Sequence, residues 1–243
     1  MSSSNIISKI LGLAKVGAIN YRELEKIKEI ILICDWKEHG TNHVLSFLRK
    51  TDLIISPDYL RYFSAIFTDL NFRFFNKIKD LQEIFKEIDP DNRILINLYP
   101  KTLPIDGIQR FRFRCGRYDA HNFPEYNVLI KGGNLDVPFK LMRRKPRKKV
   151  PFRFNESKRR KIKAFYRKLK NQGFQKVIYL QDSETAINLD RNTFYIIETT
   201  AKTDLPNVKN IPPSSYESIL YSYYADELIG PNGLLSMLRR SKR

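Results

Sequence analysis

The chain has 243 residues, of which 42% are apolar and 12% aromatic. That length buries about 70–75% of the unfolded surface, which excludes a chain dependent on disulfide or metal staples, and the aromatic content argues against disorder. Lysine and arginine number 44 against 26 acids, a net charge of +18. Such an excess calls for an anionic partner (nucleic acid, a lipid surface or a phosphorylated substrate) and says nothing about the fold. Cys34 and Cys115 make neither a disulfide framework nor a four-cysteine zinc site and read as reduced thiols. No apolar run reaches the roughly 18 residues of a membrane span, and the first residues lack the basic and apolar regions of a secretory leader. The expected compartment is the cytoplasm, with peripheral contact to a membrane left open.

In chain order, residues 5–19 place Ile6, Ile7, Ile10, Leu11, Leu13, Ala14 and Val16 against Lys9 and Lys15. This reads as an amphipathic helix that packs on the core or lies in a membrane interface. Ile30–Cys34 is a continuous apolar run, as in a strand covered on both faces. A polar loop follows, then a helix through Val44, Leu45, Phe47 and Leu48. Leu53–Ile55 reads as a short strand, and Pro57 sits where a further helix would open. Ile78, Leu81, Ile84, Phe85 and Ile88 form one stripe of a helix over 76–88, and Ile94–Leu98 is another strand. The pattern then loosens. Gln109–Arg114 alternates like a half-exposed strand, and Tyr126–Ile130 suits one more.

The charge is concentrated. Residues 140–170 hold sixteen lysines and arginines and one acid, Glu156, so the rest of the chain is close to balance. The first part of this strip, Arg143–Lys149, contains Pro146 and no apolar period, and reads as a connecting segment. The second part is a helix that Asn155 can cap, with Ile162, Phe165, Tyr166 and Leu169 on its packing face and Gly173 at its end. Its other face shows Lys158, Arg159, Lys163, Arg167 and Lys170. A solvated helix face and an anion-binding surface are both consistent with that pattern. The candidate anion contacts are Arg143, Arg144, Lys148, Lys149, Arg159 and Lys163. Strands are then expected at 176–180, 193–198 and 225–229, with a helix led by Pro212–Ser215 and a last one over 234–240.

Strands alternating with helices define an α/β class with mainly parallel sheets. The expected organisation is an amphipathic helix at 1–25, an α/β domain at 26–138, a basic linker at 139–154 and a second α/β domain at 155–243. In open α/β sheets ligands bind beyond the carboxyl ends of the strands, which selects two loops. Gly230-Pro-Asn-Gly233 joins an apolar strand to a helix, and its glycines permit a close backbone approach to a diphosphate. Asp35, Glu38, His39 and His43 follow the first long strand. Asp35 or His39 would suit a general base. His39 and His43 also have the spacing of a zinc-binding helix, but Gly40 weakens a helix there and no HExxH glutamate is present, so no metal site is expected.

Pro212 to Leu238, which carries Ala225-Asp-Glu-Leu-Ile-Gly-Pro-Asn-Gly233, resembles the nucleotide-sugar end of GT-B glycosyltransferases, the heptosyltransferase-like and fucosyltransferase-like families in particular. The unit from Asn155 to Leu180 is similar to the start of that half, so the resemblance covers about 90 residues. It implies a GT-B-like fold, an α/β arrangement of two Rossmann-like units facing a cleft, and transfer of a sugar from a nucleotide-sugar to a glycan or glycolipid acceptor. The nucleotide-sugar would be substrate, with no cofactor besides. It further implies Ser214, Ser215 and Glu217 near the nucleotide or sugar, and Asp226, Gly230, Pro231, Asn232, Gly233 and Leu234 around the diphosphate. The alternative is a nucleic-acid-binding protein using residues 140–170.

Two other patterns each have a functional and a purely structural reading. Asp190, Glu198 and Lys202 around one strand have residue types found in metal nucleases, at unsuitable spacing. Phe111 and Phe113 between arginines would stack bases, or would simply face inward. His121 reads as structural.

Overall fold

A computed structural model describes residues 14–16, 21–24, 26–35, 44–121, 125–148, 150–181, 190–201, 204–213, 215–230 and 238. The chain divides into two compact units, Met1–Phe152 and Arg153–Arg243.

The first unit is built on a seven-stranded sheet. Its strands are β1 (Ala14–Val16), β2 (Glu29–Ile33), β3 (Leu53–Pro57), β4 (Asn71–Phe75), β5 (Arg93–Asn97), β6 (Phe113–Arg117) and β7 (Val128–Ile130). They lie in the order β1-β7-β6-β5-β2-β3-β4. All pairs are parallel except β1 with β7. Counted from β2, the six parallel strands run 3-2-1-4-5-6, the doubly wound order that reverses between β2 and β5. The apolar runs explain the centre: Ile30 to Ile33 and Ile94 to Ile96 are each at most 1% exposed, because a parallel sheet is covered on both faces. Leu81 and Phe85 of the helix α2 (Ile78–Lys86) join Ile31, Ile33, Leu95 and Phe111 in the core. Each such side chain contributes about 1.5–3 kcal/mol on burial. The Asp80 carboxylate accepts from the N–H groups of Asn76 and Lys77, which satisfies the start of α2 and lowers the pKa of that carboxyl. Among the described residues two further short α-helices lie in this unit, α1 (Tyr21–Leu24) and α3 (Val137–Leu141).

Several expectations are corrected here. The amphipathic helix over 5–19 is not formed at residues 14–16, which are strand and pair antiparallel with β7. A sheet edge with unpaired backbone groups captures three residues that periodicity alone assigns to a helix. The remainder of that expected helix lies outside the described residues. Pro57 does not open a helix but ends β3, and a 3-10 turn follows at Asp58–Phe63. The expected strand at 109–114 is displaced: Ile108–Arg110 is a 3-10 turn and β6 begins at Phe113. Phe111 and Phe113 are buried, which removes base stacking on their rings. Arg110 instead reaches the carbonyls of Phe85 and Ile88. β4 was not anticipated at all.

The start of the basic strip is fastened to this unit. Arg144 Nη1 donates to the buried Asp52, and Arg147 pairs with Asp69 while its N–H donates to the Ser46 carbonyl at 2.7 Å. At these two positions the strip is not the free connector that its composition suggests.

The second unit has four parallel strands, β8 (Lys176–Leu180), β9 (Thr193–Glu198), β10 (Val208–Ile211) and β11 (Glu227–Ile229). Their order, β10-β9-β8-β11, is 3-2-1-4, again with a reversal, here between β8 and β11. The basic helix α4 (Glu156–Asn171) precedes β8, with Asn155 Oδ1 accepting from Lys158 N at 3.1 Å as its cap. Ile162, Tyr166 and Leu169 are its buried face, and Gly173 stops it at φ +92°. The helix α5 (Tyr216–Tyr224) connects β10 to β11.

Candidate functional site

In each unit the reversal of strand order leaves a notch at the carboxyl edge of the sheet. In the second unit this notch is bounded by the ends of β8 and β11. Gln181 N donates to the Ile229 carbonyl at 2.9 Å, which draws Gly230 against Gln181. Gly230 has φ +135°, and a Cβ there would stand 2.6 Å from Gln181 Cβ. Only glycine satisfies both demands at once. Beside it, Gln181 Oε1 is buried and has no hydrogen-bond partner among the described residues. A buried acceptor left unpaired costs about 1–3 kcal/mol, so this oxygen is a natural point of contact for a ligand N–H or O–H.

The same edge carries Glu198 at the end of β9. Tyr179 Oη donates to Glu198 Oε2 at 3.1 Å, and burial pushes the Tyr179 hydroxyl far above its ordinary pKa. The α5 N-terminus also lies here, after β10. Ser215 Oγ accepts from Ser218 N at 3.0 Å, and Ser218 Oγ accepts from Ser215 N at 3.2 Å. Ser215 therefore acts as a helix cap, and Glu217 is exposed in the first turn.

Asp226, expected beside the diphosphate, is elsewhere. Its Oδ2 accepts from Val177 N at 2.8 Å, and its own N–H donates to the Val177 carbonyl at 2.8 Å. It fastens the amino end of β11 to that of β8, about 13 Å from Gly230 at ~3.3 Å per residue of strand. Ser214, Pro231, Asn232, Gly233 and Leu234 lie outside the described residues. Gln181 and Tyr179 were missed by sequence reasoning, which considered Glu198 only as part of a metal-nuclease pattern. Gln181 directly follows an unmistakable strand, so the strand-end rule applied to β8 as well as β11 would have found it.

In the first unit Asp35 lies two residues beyond β2, at the reversal between β2 and β5. It is half-buried and accepts a hydrogen bond from the Tyr59 hydroxyl, whose pKa is raised chiefly by burial and further by that carboxylate. Cys34, directly before it, is fully buried, and burial raises its thiol well above the ordinary range. Asn97 closes the notch on the β5 side, donating to Tyr126 Oη at 2.7 Å and accepting from Tyr99 N at 3.1 Å. His39 and His43 lie outside the described residues.

The six candidate anion contacts separate. Arg144 is taken up by Asp52. Arg143 and Lys148 are in the first unit, Arg143 with φ +53°, and Lys149 lies outside the described residues. Arg159 and Lys163 are on α4, where Arg159 Nε donates to Tyr224 Oη at 2.9 Å. The nuclease pattern is not assembled. Asp190 accepts from Asn192 N and Thr193 Oγ1 at the amino end of β9, and Glu198 lies at the other end. Lys202 lies outside the described residues. Among the described residues no three His, Cys, Asp or Glu side chains gather as a metal site, and no helix is long and apolar enough to cross a membrane.

No family model and no curated protein matches the sequence. The structure is similar to the crystal structure of the glycosyl transferase family 9 from Veillonella parvula, with a TM-score of 0.55 at 12% identity. The match covers 94% of this chain and 81% of that one. At this identity the likeness is one of fold, and it agrees with the GT-B-like α/β class expected from the sequence.

Proposed function

We propose that the chain is a glycosyltransferase that moves a sugar from a nucleotide-sugar to a hydroxyl of a glycan or glycolipid acceptor. The observation that carries the reading is the notch at Gly230 and Gln181. It combines a reversal of strand order, a position restricted to glycine, and a buried acceptor oxygen awaiting a donor. In this reading Gln181 Oε1 accepts from an O–H or N–H of the nucleotide-sugar, and Pro231, Asn232, Gly233 and Leu234 are the candidate diphosphate contacts. Ser214, Ser215 and Glu217 border the nucleotide or sugar.

Transfer breaks the bond from the anomeric carbon to the diphosphate oxygen, which leaves with the electron pair, and forms a bond to the acceptor oxygen. Asp35 takes the acceptor's proton, with His39 as the other candidate base. Backbone N–H groups at the diphosphate stabilise the charge on the leaving group. The nucleotide-sugar is the substrate and no cofactor or metal is required.

A thermal-shift screen with UDP-, GDP-, ADP- and CMP-linked sugars tests the reading. A saturable rise with one nucleotide series supports it. A rise with oligonucleotides alone supports nucleic-acid binding through the basic strip.

A further inference from the structure

The sixteen residues of α4 carry eight lysines and arginines against one acid, Glu156, and these cations are not equivalent. Arg159 and Arg160 share Glu156, Lys158 lies 4.9 Å from the Tyr216 ring centroid, and Lys176, beyond the helix, pairs with Glu227. Lys163, Arg167 and Lys170 have no carboxylate partner among the described residues. Their spacing of four and three residues puts them on one flank of the helix. That flank borders a hollow of about 340 Å³ lined by these three cations together with Tyr166, Tyr224 and Asp226.

The other lining groups are already engaged. Tyr166 Oη donates to the Tyr221 carbonyl at 2.6 Å, Tyr224 Oη accepts from Arg159, and Asp226 holds Val177 N. Lys163 Nζ stands 5.8 Å from the Tyr224 ring centroid, which holds its ammonium over the wall of the hollow. The hollow therefore presents three cations and one carboxylate, an excess of two positive charges. Two phenol rings give it partly apolar walls. An ammonium pair with a guanidinium fork suits the three terminal oxygens of a phosphomonoester dianion, and the rings suit the carbon face of its carrier.

The position separates this hollow from the Gly230 notch. α4 ends just before β8 begins, and Asp226 holds the amino end of β11. Gly230 and Gln181 are at the opposite edge of the same sheet. The apolar face of α4 is buried within the unit, so a lipid surface would be held by its headgroups and not by insertion of this helix.

We infer that the hollow beside Lys163, Arg167 and Lys170 is a second ligand site, one that binds a phosphomonoester group. Its source is a soluble sugar- or polyol-phosphate, or the exposed phosphate of a lipid headgroup.

Two double variants remove equal charge from the two flanks of α4: Arg167→Gln with Lys170→Gln, and Lys161→Gln with Lys168→Gln. All four side chains are exposed, so both variants are expected to keep the parent melting temperature. Calorimetry with glycerol 3-phosphate, and sedimentation with vesicles containing phosphatidic acid in phosphatidylcholine, read binding. Saturable binding to either probe that falls at least tenfold only in the first variant supports the inference, and the probe that binds identifies the source. Equal loss in both variants shows diffuse attraction to charge and overturns it. No binding to either probe, or binding to an oligonucleotide alone, also overturns it. Nucleotide-sugar binding at the other edge is measured in parallel, so failure of one site is distinguished from failure of the other.

Discussion

Arg144 reaches back across 92 residues to donate from Nη1 to Asp52 Oδ2 at 2.7 Å, and its Nη2 donates to the Lys28 carbonyl at 2.9 Å. Asp52 is fully buried and also accepts from Ile30 N at 3.0 Å and Arg49 N at 2.6 Å. One carboxylate thus joins the start of β2, the turn before β3 and the first arginines of the basic strip. Burial outweighs these partners and holds its pKa above the ordinary value.

Removing that carboxylate leaves Arg144 and two backbone donors without their acceptor. Asp52→Ala is expected to destabilise the first unit by about 3–5 kcal/mol, as for other buried pairs deprived of one member. Asp52→Asn keeps one acceptor oxygen and is expected to be milder. Urea unfolding followed separately in the two units checks this, since the second unit contains none of the partners. Equal loss in both variants would show that the charge itself, and not its hydrogen bonds, holds the segment.

Gly230→Ala places a methyl group 2.6 Å from Gln181 Cβ at a backbone angle of +135°. The expected cost is about 1–3 kcal/mol of local strain, with weakened binding of nucleoside diphosphates. Gln181→Leu removes the orphan oxygen without a clash, so it is expected to keep the melting temperature and still lose donor affinity. Undiminished affinity in Gln181→Leu would dissociate this oxygen from the ligand.

Asp35→Asn tests the proposed base. The carboxamide preserves the shape and can still accept from Tyr59, but it cannot take a proton. Transfer is expected to fall roughly 10²–10⁴-fold with donor affinity unchanged. A steady-state assay with a nucleotide-release readout measures it. Retained turnover would move the role to His39.

His121 supplies a pH dependence of stability. Its Nδ1 accepts from Arg117 N at 3.1 Å, its Nε2 is buried with no partner among the described residues, and burial lowers its pKa from 6.5. The unfolded chain therefore takes up a proton near pH 6.5 while the folded chain resists it. The stability associated with the neutral ring is complete above that pH and is lost as pH falls through the lowered folded pKa. Denaturant midpoints between pH 7.5 and 5 should fall, and less steeply in His121→Gln. Parallel slopes for the two proteins would remove His121 as the cause.

The strands at Ile30, Ile94, Val177 and Phe194 were legible in the sequence, because a strand covered on both faces must be apolar throughout. So was α4, whose cap, apolar stripe and terminal glycine agree with one another. Short elements were not legible. β1 depends on the free edge of β7, and β4 and β10 on neighbours far away in the chain, so neither period nor composition marks them. The basic strip shows the limit most plainly. Its charge can be counted residue by residue, but whether an arginine meets solvent or a buried aspartate depends on distant chain. Glycine 230 could be noticed in a turn. That β11 lies against β8, forcing its α-carbon onto Gln181, was decided by the crossover, since backbone hydrogen bonding between strands 49 residues apart in register is a property of the assembled sheet alone.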